Sequence, residues 1–426
     1  MSEASVDLEQ VLYGGITDPV DDSSAVDALE DPLREISEKF YSMGDVITGT
    51  GEENGAYVRF GGYRLPNILA PGAMCTGPVY GVVSYEAHRQ LYTNPAASSS
   101  LFEGSVEPFF GRTLSPRDAP EHTKFRNVMQ RGFMPKQIES YKDTIARPVL
   151  NRRFSAIKAN GKADLVRELN VFYPYEIVGS IVGYGTTDLE FLAGCMDGIW
   201  QANRDINRAL EAGQKLQDFA LTLIEKRRKE PKDDFVSAML EAEVDGQKIS
   251  DADMIGLVNH LFSGGIETTS RQTNVLVFDL LSHPDQLGLL RSNRELIRAA
   301  VEENLRYNGI GGSTCRVVKE AIEICGTAIP EDAVVFTFHD VASRDPARWE
   351  NPHTFDITRP VQKHFTFAMG PHMCIGQHLA RFLLAVYLEH FLDDLPNVRW
   401  DSDATIPKVT GWNQRSCSSL PVIWDV

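Results

Sequence analysis

The chain has 426 residues, 42% of them hydrophobic and 24% charged, and a formal net charge of -17; that is ample apolar material for a large core in an ordinary globular protein. The acidity excludes nucleic acid as the main partner, because a phosphate surface would repel the molecule as a whole. No apolar run reaches bilayer length, the N-terminus MSEASVDLEQ lacks a secretory pattern, and the six cysteines are scattered without a CxxC pair, so the expectation is a soluble cytoplasmic protein with neither disulfide framework nor zinc site.

Residues 1–30 are acidic and poor in apolar periodicity and read as an N-terminal arm; 31–426 read as one domain. LREISEKFYSM predicts a short amphipathic helix. AYVRFGGYRLPNIL and GPVYGVVSY, between Ala56 and Tyr85, are β-rich and broken by Gly and Pro as hairpins are. From Glu86 the pattern turns helical: EHTKFRNVMQRGF, QIESYKDTIARPVLNRRFSAI, VRELNVFYPYEIVGSIVG and SDADMIGLVNHLFSGGIETTSRQTNVLVFDLLSH carry apolar residues at three- and four-residue spacing. A second β-prone patch, AIEICGTAIPEDAVVFTF, interrupts near Ala321 to Phe338. The expectation is a mainly α protein with a small β region at about 56–85 and its longest helix near the middle.

In FAMGPHMCIG, Phe367 to Gly376, one cysteine is framed by glycines and a histidine. Leu379, Phe382, Leu383, Val386 and Tyr387 recur at helical spacing, so a buried helix is predicted just past Gly376 and Cys374 falls at its N-terminus, where backbone N–H groups favour a thiolate. Gly370 and Gly376 permit close approach to something flat. The residues alone leave a structural cysteine and an axial haem ligand both open.

Three more motifs bear on that choice. Gly264-Gly265-Ile266-Glu267-Thr268-Thr269 sits within the central helix; the glycines weaken it, Thr268 can bond back to the Gly264 carbonyl, and an acid and a hydroxyl at an opened turn make a proton relay. Glu303-Asn304-Leu305-Arg306 places opposite charges on one helix face. His122-Thr123-Lys124-Phe125-Arg126 places a histidine and an arginine four apart, a clamp for a carboxylate.

In this order the four motifs resemble those of the cytochrome P450 superfamily, soluble bacterial type, over the chain from about Ala56 to the C-terminus. The resemblance implies the P450 fold, with haem b between the long central helix and the helix after the Cys loop. It implies Cys374 as the thiolate ligand, Gly264, Phe367 and Gly376 beside the ring, and His122, Arg126, Arg316 and His372 on its propionates. Glu267, where many members have Asp, becomes the relay acid and Thr268 the hydroxyl. Glu303 and Arg306 become a structural pair behind the haem. Two departures stand out: Ala368 replaces the usual first loop glycine, and Pro352-His353-Thr354-Phe355 lacks the arginine that often completes the pair, leaving His353 and Arg359 as candidates.

The implied activity is that of a haem-thiolate monooxygenase, inserting one oxygen atom of O2 into a small hydrophobic organic substrate by hydroxylation or O-dealkylation. Electrons would come from a separate iron-sulfur ferredoxin and its reductase, docking on basic residues among Lys124, Arg126, Arg131, Lys136, Lys363, His364 and Arg381. For the substrate, the resemblance points to His260 and Ser263 on the central helix, to the segment Ile310 to Thr314, and to Phe102, Phe109 and Phe110 as a roof. That suits a small aromatic or terpenoid molecule with one polar group. A peroxide-driven peroxygenase and a haem-binding sensor or electron carrier without substrate are the alternatives; the pair Glu267 and Thr268 counts against both.

Overall fold

The computed structural model describes residues 32–51, 57–60, 63–66, 78–185, 188–200, 202, 205–411 and 414–426. The acidic arm at 1–30 lies outside them. Short helices begin where the sequence supplies caps: Ser84 Oγ accepts from the Ala87 amide ahead of Tyr85–Thr93, and Ser250 Oγ accepts from the Asp253 amide ahead of Asp251–Gly265. The helix after the Cys loop, Gln377–Asp394, starts where its periodicity predicted, and Leu383, Tyr387, Leu388 and Phe391 bury its inner face.

Two expectations about the architecture change. The β region is larger than 56–85: a seven-stranded sheet runs Tyr63–Pro66, Tyr57–Phe60, Val46–Gly51, Val79–Val82, Val334–Phe338, Ser313–Val318, Ala97–Ser98. Its one parallel pairing joins Val79–Val82 to Val334–Phe338, so the second β-prone patch closes onto the first and carries Thr314 and Arg316 with it. The central helix is also in two pieces, Asp251–Gly265 and Glu267–Ser282, and the longer uninterrupted helix is Ile206–Lys229. The break sits at Ile266, after the two glycines. Thr268 Oγ1 and Thr269 Oγ1 donate to the Gly264 and Gly265 carbonyls at 2.6 and 2.7 Å, replacing backbone donors and opening the turn.

Close backbone crossings bring distant segments to this break. A Cβ on Gly256 would lie 2.3 Å from the Arg112 carbonyl, so glycine there lets the loop around Arg112 lie directly on the central helix. Arg117, buried in that loop, fastens it by donating to Asp253 Oδ1 at 2.7 Å and to the Thr113 carbonyl at 3.0 Å. Leu114 and Ser115 are thereby held against a cavity of about 540 Å³ that also meets the helix break and the Cys loop. Among the described residues no helix is long and apolar enough to cross a membrane.

Candidate active site

The Cys loop is a tight fold anchored by Phe365, which is fully buried beside Tyr85 and Tyr92. The Ala368 amide donates to the Phe365 carbonyl at 2.6 Å, the Met373 amide to Gly370 at 3.1 Å and the Cys374 amide to Phe367 at 2.9 Å. Gly370 is required twice over: its φ is +75°, and a Cβ would lie 2.3 Å from the Tyr92 carbonyl. Ala368 adopts φ 56°, a left-handed conformation that costs an L-residue about 1–2 kcal/mol. Its backbone therefore keeps the turn a glycine would make.

Cys374 is exposed, and it lines the cavity from a loop densely surrounded by protein. Burial pushes its thiol up; the Gly376 amide, Arg126, Arg381 and the Gln377 amide act in the opposite sense. A sulfur met by two helix-start amides and two guanidinium groups is prepared to be a thiolate once something compensates its burial. Among the described residues no cluster of three acidic, histidine or cysteine side chains could hold a metal ion. A metal at Cys374 would therefore bring its other ligands with it.

The rim of the cavity supplies the partners for such a group. His122 and His372 face each other with ring centroids 4.1 Å apart. His122 Nε2 is buried without a hydrogen-bond partner, an orphan that asks for an acceptor. Arg126 Nη2 donates to the Met373 carbonyl at 2.6 Å and Arg316 Nη1 to Cys315 at 2.7 Å; among the described residues neither guanidinium has a carboxylate. His372 Nε2 lies 2.8 Å from Ser99 Oγ and 3.8 Å from Asp118 Oδ1. Burial, then His372 and Arg126, push His122 down to about 3, and burial also lowers His372. Two unbalanced cations and an orphaned donor around a thiol-lined slot fit a flat iron-bearing ring with two carboxylates.

Behind the loop, Glu303 and Arg306 form a buried pair, Nε to Oε2 and Nη2 to Oε1 both at 2.8 Å. Arg359 Nε completes it at 3.3 Å from Glu303 Oε1. His353 turns elsewhere, its Nδ1 3.4 Å from Arg344 Nη1. The neighbouring acid Glu302 binds Arg381 Nε at 2.5 Å and His364 Nε2 at 3.2 Å.

On the opposite side Gly264 and Thr268 line the cavity, as do Phe102, His260, Ile310 and Thr314. Phe367 and Gly376 line it from the loop. His260 Nδ1 is 3.5 Å from Ser115 Oγ, at the outer limit of a hydrogen bond. Burial, with Arg126 and His372 adding, pushes His260 down to about 4.

Four expected residues do not line the cavity, and Phe110 is one of them, buried in the core beside Phe109. Phe109 is turned into the core where its backbone meets the Ile206–Lys229 helix, a Cβ on Gly213 falling 2.7 Å from Phe109 Cα. Ser263 Oγ points back to the His260 carbonyl at 3.4 Å. Glu267 is buried beside the cavity, its Oε1 accepting from Arg271 Nη2 at 2.9 Å, while Arg271 Nη1 reaches the Gln414 carbonyl at 3.2 Å. Ser115, Gln272 and His339 line the cavity unannounced. For Gln272, four residues past Thr268, the helical spacing was a usable signal.

The profile of the family described as Cytochrome P450 matches residues 199–396. A putative cytochrome P450 133B2 of Xylella fastidiosa is 30% identical over 366 residues, covering 82% of this chain and 89% of its own length. The 6-deoxyerythronolide B hydroxylase of Saccharopolyspora erythraea is 29% identical over 310 residues, covering 71% and 75%. The crystal structure of myxobacterial cytochrome P450 CYP267B1 in complex with myristic acid superposes with a TM-score of 0.82 at 23% identity, over 96% of this chain and 100% of that one. With that fold around the cysteine-lined cavity, and relatives so named over most of its length, the chain belongs to the cytochrome P450 family and is a monooxygenase-type oxidoreductase.

Proposed function

We propose that the protein binds haem b through the Cys374 thiolate and inserts one oxygen atom of O2 into a small hydrophobic organic substrate. The observation that carries this reading is a single cavity shared by Cys374, by the opened turn at Thr268 and by a rim whose two arginines lack a carboxylate partner among the described residues. When bound, the haem supplies dioxygen activation and insertion into a C–H bond.

The chain's own residues divide the remaining work. The Gly376 and Gln377 amides, with Arg126 and Arg381, stabilise negative charge on Cys374 Sγ. Arg126 and Arg316 would neutralise the two ring carboxylates, and His122 and His372 would hydrogen-bond to them. Thr268 gives its hydroxyl hydrogen to the Gly264 carbonyl, leaving Oγ1 lone pairs to accept from a water in the cavity and hold it there. Glu267, once its Oε1 has left Arg271 Nη2, would take a proton from solvent water and pass it on to the cavity water. Phe102, Val106, Leu261 and Ile310 give apolar walls that exclude further water, and His260 beside Ser115 orients one polar group of the substrate.

An iron-sulfur ferredoxin is the proposed electron donor. Of the basic residues considered for its docking, Arg131, Lys136 and Lys363 are exposed, while Lys124 pairs with Asp245 and Arg381 and His364 with Glu302. The test is incubation with a ferredoxin, its reductase, nicotinamide cofactor and isotopically labelled O2 over a panel of small aromatic and terpenoid compounds. A product carrying one labelled oxygen supports the reading. Product formed as fast from hydrogen peroxide alone would replace it with a peroxygenase.

A further inference from the structure

The cavity wall after the Ile297–Tyr307 helix holds three glycines within four positions, Gly309, Gly311 and Gly312 around Ile310. Such a run is the most pliable backbone a chain can make, yet it is bonded nearly residue by residue. The Ile310 amide donates to Gln272 Oε1 at 3.1 Å, and the Gln414 amide donates to the Ile310 carbonyl at 2.7 Å. His339 Nδ1 donates to the Gly311 carbonyl at 2.6 Å, the His339 amide to Gly312 at 3.0 Å, and the Thr314 amide to Thr337 Oγ1 at 3.1 Å.

Both side chains in this set are oriented from behind. Gln272 Nε2 donates to Asn304 Oδ1 at 2.7 Å, and Asn304 Nδ2 donates to Asp279 Oδ2 at 2.8 Å. A carboxylate only accepts, so the two amides order in one sense and Gln272 Oε1 is left for Ile310. For His339, a carbonyl at Nδ1 places the hydrogen on that nitrogen, and Nε2 is capped by the Tyr92 hydroxyl. Gln272 and His339 are 4% and 5% exposed, and both line the cavity themselves.

We propose that Gln272 and His339 are positioning residues that set which ligands the pocket accepts, by holding the glycine-rich wall from Gly309 to Gly312 in one shape. The proposal rests on the reading of this cavity as the haem and substrate site. Without the two side chains the wall would have to be ordered anew by each ligand that touches it. A ligand that does not reach the wall would be indifferent.

The test uses the haem-loaded protein and two probes that bind iron through the same nitrogen, imidazole and a phenyl-substituted imidazole, of which the second alone extends along the wall. Gln272→Met and His339→Leu are expected to weaken the phenyl compound about tenfold, read from the optical shift, and imidazole by less than about twofold. Amide exchange over 308–314 is expected to accelerate in both. His339→Asn, whose side-chain amide can still donate to the Gly311 carbonyl, should return near to wild type. Equal weakening of both probes, or unchanged selectivity with unchanged exchange, overturns the proposal. A wild-type protein that gives no optical response to imidazole instead overturns the haem reading, and the exchange comparison, which needs no haem, then judges the wall alone.

Discussion

Replacing Arg306 and Arg359 one at a time tests what completes the support behind the Cys loop. Arg306 makes two bonds of 2.8 Å to Glu303, and both side chains are 3% exposed. It also reaches the Ser343 and Pro352 carbonyls at 3.2 and 2.9 Å. Arg306→Ala leaves a buried carboxylate with only the longer Arg359 contact and the Asp356 amide, and leaves several carbonyl acceptors unmet, so about 3–5 kcal/mol of stability should go with it. Arg359 gives Glu303 one bond of 3.3 Å from a side chain that is 12% exposed. Its other bonds go to the exposed Glu350, Asn351 and Thr354 carbonyls, which water can reach, and Glu303 would keep Arg306 and the Asp356 amide at 3.0 Å. Arg359→Ala should therefore cost only about 1–2 kcal/mol. The double variant should exceed the sum of the two, because only then does Glu303 lose both cations. His353→Ala should cost less than Arg359→Ala. Urea unfolding followed by tryptophan fluorescence gives the order. A cost for Arg359→Ala as large as that of Arg306→Ala, or none, refutes the assignment of Arg359 as the third member.

Thr268→Ala should lower product formed per O2 consumed by about tenfold or more while substrate affinity is kept; oxygen uptake against chromatographed product measures it, and unchanged coupling contradicts the relay. Ala368→Gly relieves a positive φ but frees the unfolded chain, so the two effects nearly cancel and stability should change by under about 1 kcal/mol. Ala368→Val, branched at a φ of 56°, should lose about 2 kcal/mol, and equal urea midpoints for the two variants would contradict the geometry. Burial pushes the Asp279 carboxyl from the ordinary 3.8 up to about 6, against the Asn308 and Asn304 amides. Across that window the native state keeps a proton the unfolded state has lost, so this group's contribution falls as pH rises from about 4 to about 6. Asp279→Asn should accordingly gain on wild type by about 2–3 kcal/mol between those limits; a pH-independent difference would contradict it.

The parts legible in the sequence were those written in short contiguous spacing. The helix after Gly376, the bond from Thr268 to Gly264 and the pairing of Glu303 with Arg306 each depend on neighbours within a turn. His122, Arg126, Arg316 and His372 come from three separate segments, and the family resemblance, not local pattern, named them together. What stayed hidden depends on chain return. No local signal tells Val79–Val82 to pair in parallel with Val334–Phe338, more than two hundred residues later. Spacing could not choose between His353 and Arg359, because the meander between Glu350 and Arg359 decides which cation turns inward. Phe109 had the composition of a pocket residue, and the contact of its helix with Gly213 spent it on the core. His339 could be read as a pocket residue only once the glycine wall lay against it, whereas Gln272 was within reach of helical spacing from Thr268.

The central claim is that Cys374 holds haem iron as a thiolate, and the optical spectrum of the dithionite-reduced protein before and after carbon monoxide tests it most directly. A Soret band at the strongly red-shifted position produced by a trans thiolate, lost in Cys374→Ala, is the predicted result. A carbonyl spectrum of the histidine- or thiol-ligated kind in the wild-type protein, or a red-shifted band that survives Cys374→Ala, would contradict it.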